Sequence, residues 1–258
     1  MNDGPQRPAP SAGTRWSELD YAGFAKLAAD ETLSKYEKIG FPDSYRAGFE
    51  AAIFQDICGK LSRLSGPPCR VIDIGPGCSD LATMVISLCR DRGHELVLVD
   101  SEPMLALLPD EPFIIRHPGL FPTNRAALAG LSGTVDVILM YSVFQYIFVD
   151  ANPFEAIDLC LELLAPGGRA LIGDIPNMSM RNRFFTSPAG LAFHQAFTGG
   201  TDTPPPLIDG PRAGLIDDAV MAGLLLRVRA AGAHAFIVPQ GEGLPMANRR
   251  EDLLICRP

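Results

Sequence analysis

The sequence predicts an α/β fold: a seven-stranded, mostly parallel sheet with helices on both faces and an N-terminal helical cap. Three observations carry that reading. After Gly66-Pro67-Pro68 the chain becomes a series of short apolar runs alternating with helical segments. Helix start and stop signals fall between those runs, where a parallel sheet needs its crossovers. And 47% of the 258 residues are apolar against 20% charged, enough to bury a sheet on both faces.

Residues 1–15 are polar and Pro-rich and read as a flexible tail, with neither a secretory signal nor a membrane anchor. From 16 to 64 the signals are helical. Phe49, Ile53, Phe54, Ile57 and Leu61 recur at three- and four-residue spacing, and Gly40-Phe41-Pro42-Asp43 breaks the helices with a loop, so this part is expected to cap the rest. The main domain then spans 65–258. Its strands are expected at 71–74, 96–99, 113–115, 135–140, 170–173, 235–238 and 253–256. Asn152 caps a helix with Pro153 in its first position and Glu155 three residues on, and Ala165-Pro166-Gly167-Gly168 ends it. Asp217 and Asp218 stand at the positive end of a helix running to Ala231. Residues 176–214 form a long Pro/Gly-rich excursion containing Pro204-Pro205-Pro206, which in a compact domain is expected to be a lid or binding loop.

Composition limits the partners. With 22 basic against 30 acidic residues the net charge is 22 − 30 = −8, which argues against a nucleic-acid surface. The most apolar stretch, 137–149, falls short of the ~20 residues a membrane span requires. The six cysteines form no Cys-x-x-Cys pair and do not group with histidine, so a reduced, metal-free, cytoplasmic protein is expected.

The chemistry concentrates where the first strand ends, at Asp73-Ile74-Gly75-Pro76-Gly77-Cys78-Ser79-Asp80. A glycine turn between strand and helix lets a ligand approach backbone amides and a helix N-terminus. A dinucleotide site would put a third glycine at position 80 beside a pyrophosphate. Asp80 supplies an anion there instead, which favours a phosphate-free, positively charged ligand. The second strand ends at Asp100, 27 residues after Asp73, where a carboxylate can accept two ribose hydroxyls, although Ser101-Glu102-Pro103 also reads as a helix start. Met104 follows one turn later.

On four segments the chain resembles class I S-adenosylmethionine-dependent methyltransferases, which have a Rossmann-like fold, and the resemblance implies that the last two strands form the hairpin with an antiparallel last strand that closes such sheets. They are the turn Val71-Ile72-Asp73-Ile74-Gly75-Pro76-Gly77, Asp100, the strand Val135-Asp136-Val137-Ile138-Leu139-Met140, and Leu164-Ala165-Pro166-Gly167-Gly168-Arg169-Ala170-Leu171, in that order across about 65–175. The resemblance implies that S-adenosylmethionine is the cofactor. Asp73, Gly75 and Gly77 would surround its methionine end, Asp100 would hold the ribose, Met104 would lie near adenine, and Tyr141 and Ser142 would face the sulfonium. The family's frequent acidic residue after the third strand is replaced by Ile115-Arg116-His117-Pro118-Gly119, so backbone groups near 117–120 would stand in for it. Segments 35–46 and 249–254 also resemble small bacterial methyltransferases associated with surface-sugar biosynthesis, which implies a sugar or sugar-nucleotide acceptor.

Methyl transfer is an in-line displacement whose catalysis rests largely on positioning, and an alcohol acceptor also gains from a nearby base. His194 is the first candidate base and His117 the second. The bland alternative for His194 is a helix-surface side chain. Tyr146 is weighted towards catalysis over core packing, and Gln145 towards the acceptor. Arg181 and Arg183 form a cationic pair suited to phosphate or carboxylate, or simply a solvated pair. Arg46, in the loop between the capping helices, would bind the cofactor carboxylate or close over it. Met140-Tyr141-Ser142-Val143 lacks the Asn/Asp-Pro-Pro-aromatic arrangement of base-amino methyltransferases, so the partner expected is a small-molecule acceptor, with a homodimer left open. A nicotinamide-dependent reductase is disfavoured by Asp80 and by the lack of a Tyr-x-x-x-Lys pair. A non-catalytic protein keeping the cofactor fold remains the alternative.

Overall fold

The structure, a computed structural model, describes residues 19–41, 47–200, 203 and 214–258. Its strands are β1 (Arg70–Ile74), β2 (Glu95–Asp100), β3 (Ile114–Pro118), β4 (Val135–Tyr141), β5 (Leu164–Pro176), β6 (His234–Pro239) and β7 (Arg250–Cys256). They form one sheet in the order β3-β2-β1-β4-β5-β7-β6. Neighbours among β1 to β5 are parallel, and β7 runs antiparallel to both β5 and β6. The runs Val71-Ile72, Leu96-Val97-Leu98-Val99 and Val137-Ile138-Leu139-Met140 are buried throughout because helices cover both faces of these central strands.

Three strands depart from their expected limits by three residues or more, β7 by beginning at Arg250 in place of 253. β3 begins and ends later than 113–115, and Pro118 is tolerated in it because β3 is an edge strand. β5 begins at Leu164, so Ala165-Pro166-Gly167-Gly168 both stops the preceding helix and opens the strand. Gly167, at φ 75°, donates its N–H to the Arg257 carbonyl at 3.0 Å, which continues pairing with the last strand.

The described helices begin with α1 (Tyr21–Ala29) and α2 (Lys35–Lys38), which belong to the site below. One sheet face is covered by α3 (Glu50–Lys60) and α4 (Asp80–Arg92), whose Ile53, Ile57, Val85 and Ile86 pack with Leu96, Leu98 and Leu139. After β2 comes the short α5 (Glu102–Leu105), and after β3 the short α6 (Arg125–Leu128). The opposite face carries α7 (Phe144–Asp150) and α8 (Pro153–Leu163) together with the helix that precedes β6. Asn152 caps α8 by accepting from the Phe154 N–H at 3.0 Å.

The excursion after β5 is largely helical where it is described. It forms α9 (Met178–Phe185) and α10 (Pro188–Thr198), capped by the side chains of Asn177 and Ser187. Those caps are the signal that composition alone obscured, with Pro188 in the first helical turn. Pro204-Pro205-Pro206 lies outside the described residues. The following helix is α11 (Asp218–Ala230), whose cap Asp217 accepts from the Val220 N–H at 2.9 Å. Among the described residues no helix is long and apolar enough to cross a membrane.

Candidate functional site

In this strand order the chain reverses direction of travel between β1 and β4, and a crevice opens beyond the carboxyl ends of the strands there. The turn after β1 holds Gly75 at φ 68° and Gly77 at φ 63°, the left-handed region that glycine alone enters freely. Space enforces the same choice. A Cβ on Gly75 would stand 2.4 Å from Val143 Cγ2, and one on Gly77 2.6 Å from Ile39 Cγ2. Ser79 then caps α4 by accepting from the Leu81 N–H.

This turn forms part of a concave cleft, the kind of place where small-molecule sites occur in this architecture. Asp73, Gly75, Gly77, Asp100, Met104, Tyr141 and Ser142 all line it, and so does Tyr146. Sequence reasoning drew these residues from three strand ends; the fold brings them into one cavity.

Its electrostatics are unusual. Asp73 is only 4% exposed, and burial, with the neighbouring Asp100 charge adding to it, pushes its carboxyl up to about 8. Burial likewise raises Asp100 to about 6, opposed by hydrogen bonds from Ser101 and Gly77. The Ser101 N–H donates to Asp100 Oδ1 at 2.7 Å and the Gly77 N–H to Oδ2 at 3.3 Å. Among the described residues no Lys, Arg or His forms an ion pair with either carboxylate.

Asp80 has a different part from the one its position in the motif suggested. Lys35 Nζ lies 2.5 Å from its Oδ1, and the Tyr36 hydroxyl donates to its Oδ2 at 3.0 Å. It therefore ties α2 to the start of α4 and does not line the cleft. The tie carries Ile39 and Phe41 to the cleft wall, beside Tyr21 and Phe24 of α1. None of these four was named as a site residue from sequence, because nothing local says that an N-terminal helix folds back over strand ends. Tyr21 faces Asp100, whose charge, after burial itself, raises the phenol.

A second, more open cavity adjoins the first, and Tyr146 and Asp150 line both. Gln145 and Arg181 line the second. Gln145 Nε2 donates to the Ser142 carbonyl at 2.8 Å, while its buried Oε1 has no hydrogen-bond partner among the described residues. The Phe24 ring meets the Tyr146 ring edge-on at 4.7 Å, and burial raises the Tyr146 phenol.

Three other sequence candidates lie elsewhere. Arg183 lines neither cavity; its guanidinium is 2.5 Å from Asp218 Oδ2, so its charge joins α9 to α11. His194 also lines neither, and its ring stands edge-on to Phe185 with centroids 6.2 Å apart. His117 belongs to β3, while its successors Gly119 and Leu120 reach the cleft. Arg46 lies outside the described residues.

Behind the site runs a polar network that sequence reasoning missed. Ser142 and Asp174, both at positive φ (61° and 60°), are joined by a hydrogen bond from the Ser142 hydroxyl. Arg250 Nη1 lies 2.7 Å from Asp174 Oδ2, linking the first cavity to the second. Non-glycine residues in this region are strained and persist where neighbours over-determine them.

No protein-family model matches the chain, and no curated protein matches it in sequence. Solved structures do resemble it. The N-methyltransferase NodS of Bradyrhizobium japonicum WM9, in complex with S-adenosyl-L-homocysteine, aligns over 92% of this chain and 98% of its own at 14% identity and a TM-score of 0.54. The CurJ carbon methyltransferase aligns over 95% of this chain and 66% of its own at 15% identity, with a TM-score of 0.55. The CMeT domain of citrinin polyketide synthase aligns over 92% and 65% at 15% identity, with a TM-score of 0.51. At such identities the likeness establishes the fold: this chain has the Rossmann-like fold that these methyltransferases share.

Proposed function

We propose that this chain is an S-adenosylmethionine-dependent methyltransferase acting on a small molecule, with an oxygen of a sugar or similar hydroxylated metabolite as the acceptor. One observation carries the reading: two carboxylates, buried Asp73 and partly buried Asp100, share the cleft beyond β1 and β2 with no ion-pair partner among the described residues. Burying carboxylates without compensation is unfavourable, so such a pair is expected where a ligand supplies positive charge and hydrogen-bond donors. S-adenosylmethionine fits that demand, with an ammonium, a sulfonium and two ribose hydroxyls and no phosphate. The fit extends to Gly75 and Gly77, where a Cβ would collide with its neighbours and where the bare backbone admits close approach. The likeness in fold to methyltransferases agrees with this.

Bound there, the cofactor supplies a methyl group on a cationic sulfur. Asp100, whose Oδ atoms already accept from Ser101 and Gly77, holds the ribose hydroxyls. Asp73 balances the methionine ammonium, and buried Met104 packs at the adenine. Tyr141 and Ser142 form the wall at the sulfonium. Because Tyr146 lines both cavities and burial keeps its phenol protonated at neutral pH, it donates a hydrogen bond to the acceptor oxygen. The unpartnered Gln145 Oε1 accepts from the acceptor hydroxyl and orients it, and the Asp150 carboxylate, which lines both cavities, would receive the hydroxyl proton that methyl transfer releases. Among the described residues no histidine lines either cavity, so positioning and exclusion of water carry more of the rate than an imidazole base.

Calorimetric titration with S-adenosylmethionine and S-adenosylhomocysteine tests the first step, and binding of both is expected. Transfer of labelled methyl to a panel of sugars, small acids and protein extract tests the second. Folded protein that binds neither compound would sink the reading.

A further inference from the structure

The second cavity has a chemistry of its own. Two guanidinium groups from distant parts of the chain converge on one aromatic ring: Arg181 Cζ lies 5.3 Å and Arg249 Cζ 5.8 Å from the centroid of Phe185. Both arginines line this cavity. A guanidinium over a ring face carries its N–H donors at its edge, and each is oriented by a neighbouring amide, Arg249 Nη1 donating to Asn248 Oδ1 at 2.8 Å and Arg181 Nη1 to Asn182 Oδ1 at 3.5 Å; the several donors of each suit an oxyanion. Such convergence is not a by-product of a basic surface, since the chain carries a net charge of −8. The remaining wall is largely apolar, with Met178, Ile216 and Met246 among it. Met246 is held at φ 65°, a strained conformation on the loop that leads into β7 and delivers Arg249. The carboxylate common to both cavities, Asp150, belongs to the end that adjoins the first. Asp20 also lines the second cavity, its Oδ1 accepting from the Gly23 N–H at 2.7 Å in the cap of α1, while the two arginines stand on α9 and just before β7.

We propose that this cavity selects an acceptor bearing a carboxylate or phosphate, gripped by Arg181 and Arg249 while its apolar portion lies on Met178, Ile216 and Met246. The proposal rests on the methyltransferase reading for the word acceptor, though the oxyanion site itself does not depend on it. The anion anchors one end of the molecule at the arginines, and its hydroxyl reaches Tyr146 and Gln145 at the junction of the cavities.

Matched probes test it. Glucose 1-phosphate is titrated against glucose, and 4-hydroxybenzoate against 4-hydroxybenzamide, into the full chain with and without S-adenosylhomocysteine. The anionic member of at least one pair is expected to bind at least about tenfold tighter, by a margin that shrinks with added NaCl. Which pair responds identifies phosphate or carboxylate. Arg181→Gln and Arg249→Gln, singly and together, are expected to remove the preference, and Arg181→Lys to retain part of it. Equal binding of neutral and anionic probes, no binding of any probe, or a preference that survives both glutamine substitutions overturns the proposal. S-adenosylhomocysteine affinity on the same samples separates the two readings: its absence with the anion preference intact defeats only the methyltransferase, and its presence without the preference defeats only the oxyanion site.

Discussion

Two pairs of carboxylates, three of the four buried and Asp100 partly so, lie in one sheet and are treated in opposite ways. Asp174 and Asp252, at the pairing of β5 with β7, come with their cations. Lys60 Nζ lies 2.8 Å from Asp252 Oδ2, Arg250 engages Asp174, and Gln240 donates to both acids at 3.2 Å. Asp73 and Asp100, at the tips of β1 and β2, have hydrogen bonds for only one of the two in what the structure describes and an ion pair for neither. Burial raises Asp252 as it raises Asp73, but the Lys60 charge opposes the rise for Asp252, whereas the nearest charge to Asp73 is another carboxylate that adds to it. A carboxylate that supports the fold is compensated within the chain. Under the proposed function, the pair at β1 and β2 is left for the ligand to compensate, at some expense in stability.

Breaking the compensated pair has the largest expected effect. Lys60→Met leaves Asp252, which is fully buried, without its cation, and is expected to cost about 3–5 kcal/mol and lower the melting temperature by about 6 °C or more. The opposite pair responds in binding. Asp100→Ala is expected to weaken S-adenosylhomocysteine binding about 100-fold by calorimetry while leaving the melting temperature within about 3 °C.

Asp73 sharpens the contrast through pH. Its carboxyl stands near 8 in the folded chain against 3.8 for an ordinary aspartate, so across that window the folded state holds a proton that the unfolded state has released. Stability therefore falls as pH rises from about 4 to about 8. Asp73→Asn is expected to flatten that dependence and to melt about 2–4 °C above the parent at pH 8. A cationic ligand favours the ionised carboxylate, so below about pH 8 binding releases a proton, and affinity for S-adenosylmethionine is expected to climb between about pH 6 and 8. Affinity independent of pH would break the comparison. The smallest effect belongs to the exposed pair: Lys35 and Asp80 side chains are 44% and 46% exposed, so Lys35→Met is expected to move the melting temperature by less than about 2 °C.

What could be read in advance follows from how far apart the determining residues lie. Strands β1, β2 and β4, the caps at Asn152 and Asp217 and the glycine turn at 75–77 were legible because each depends on residues within a few positions of one another. The cleft residues were legible too, since the ends of parallel strands are brought together by the topology itself. Other features depend on partners the sequence keeps distant. Asp80 meets Lys35 across 45 residues, and Arg183 meets Asp218 across 35. His194 stands edge-on to Phe185 and lines neither cavity.

By itself, then, the sequence determined the sheet, its helical layers and the two acidic strand tips, because local periodicity and capping chemistry act over a turn or two of chain. Tertiary structure decided which acids meet a cation, which arginines converge on Phe185, and which N-terminal side chains close the cleft. Charge pairing and side-chain stacking act through space over a few ångströms, and only the folded chain fixes which residues come that close.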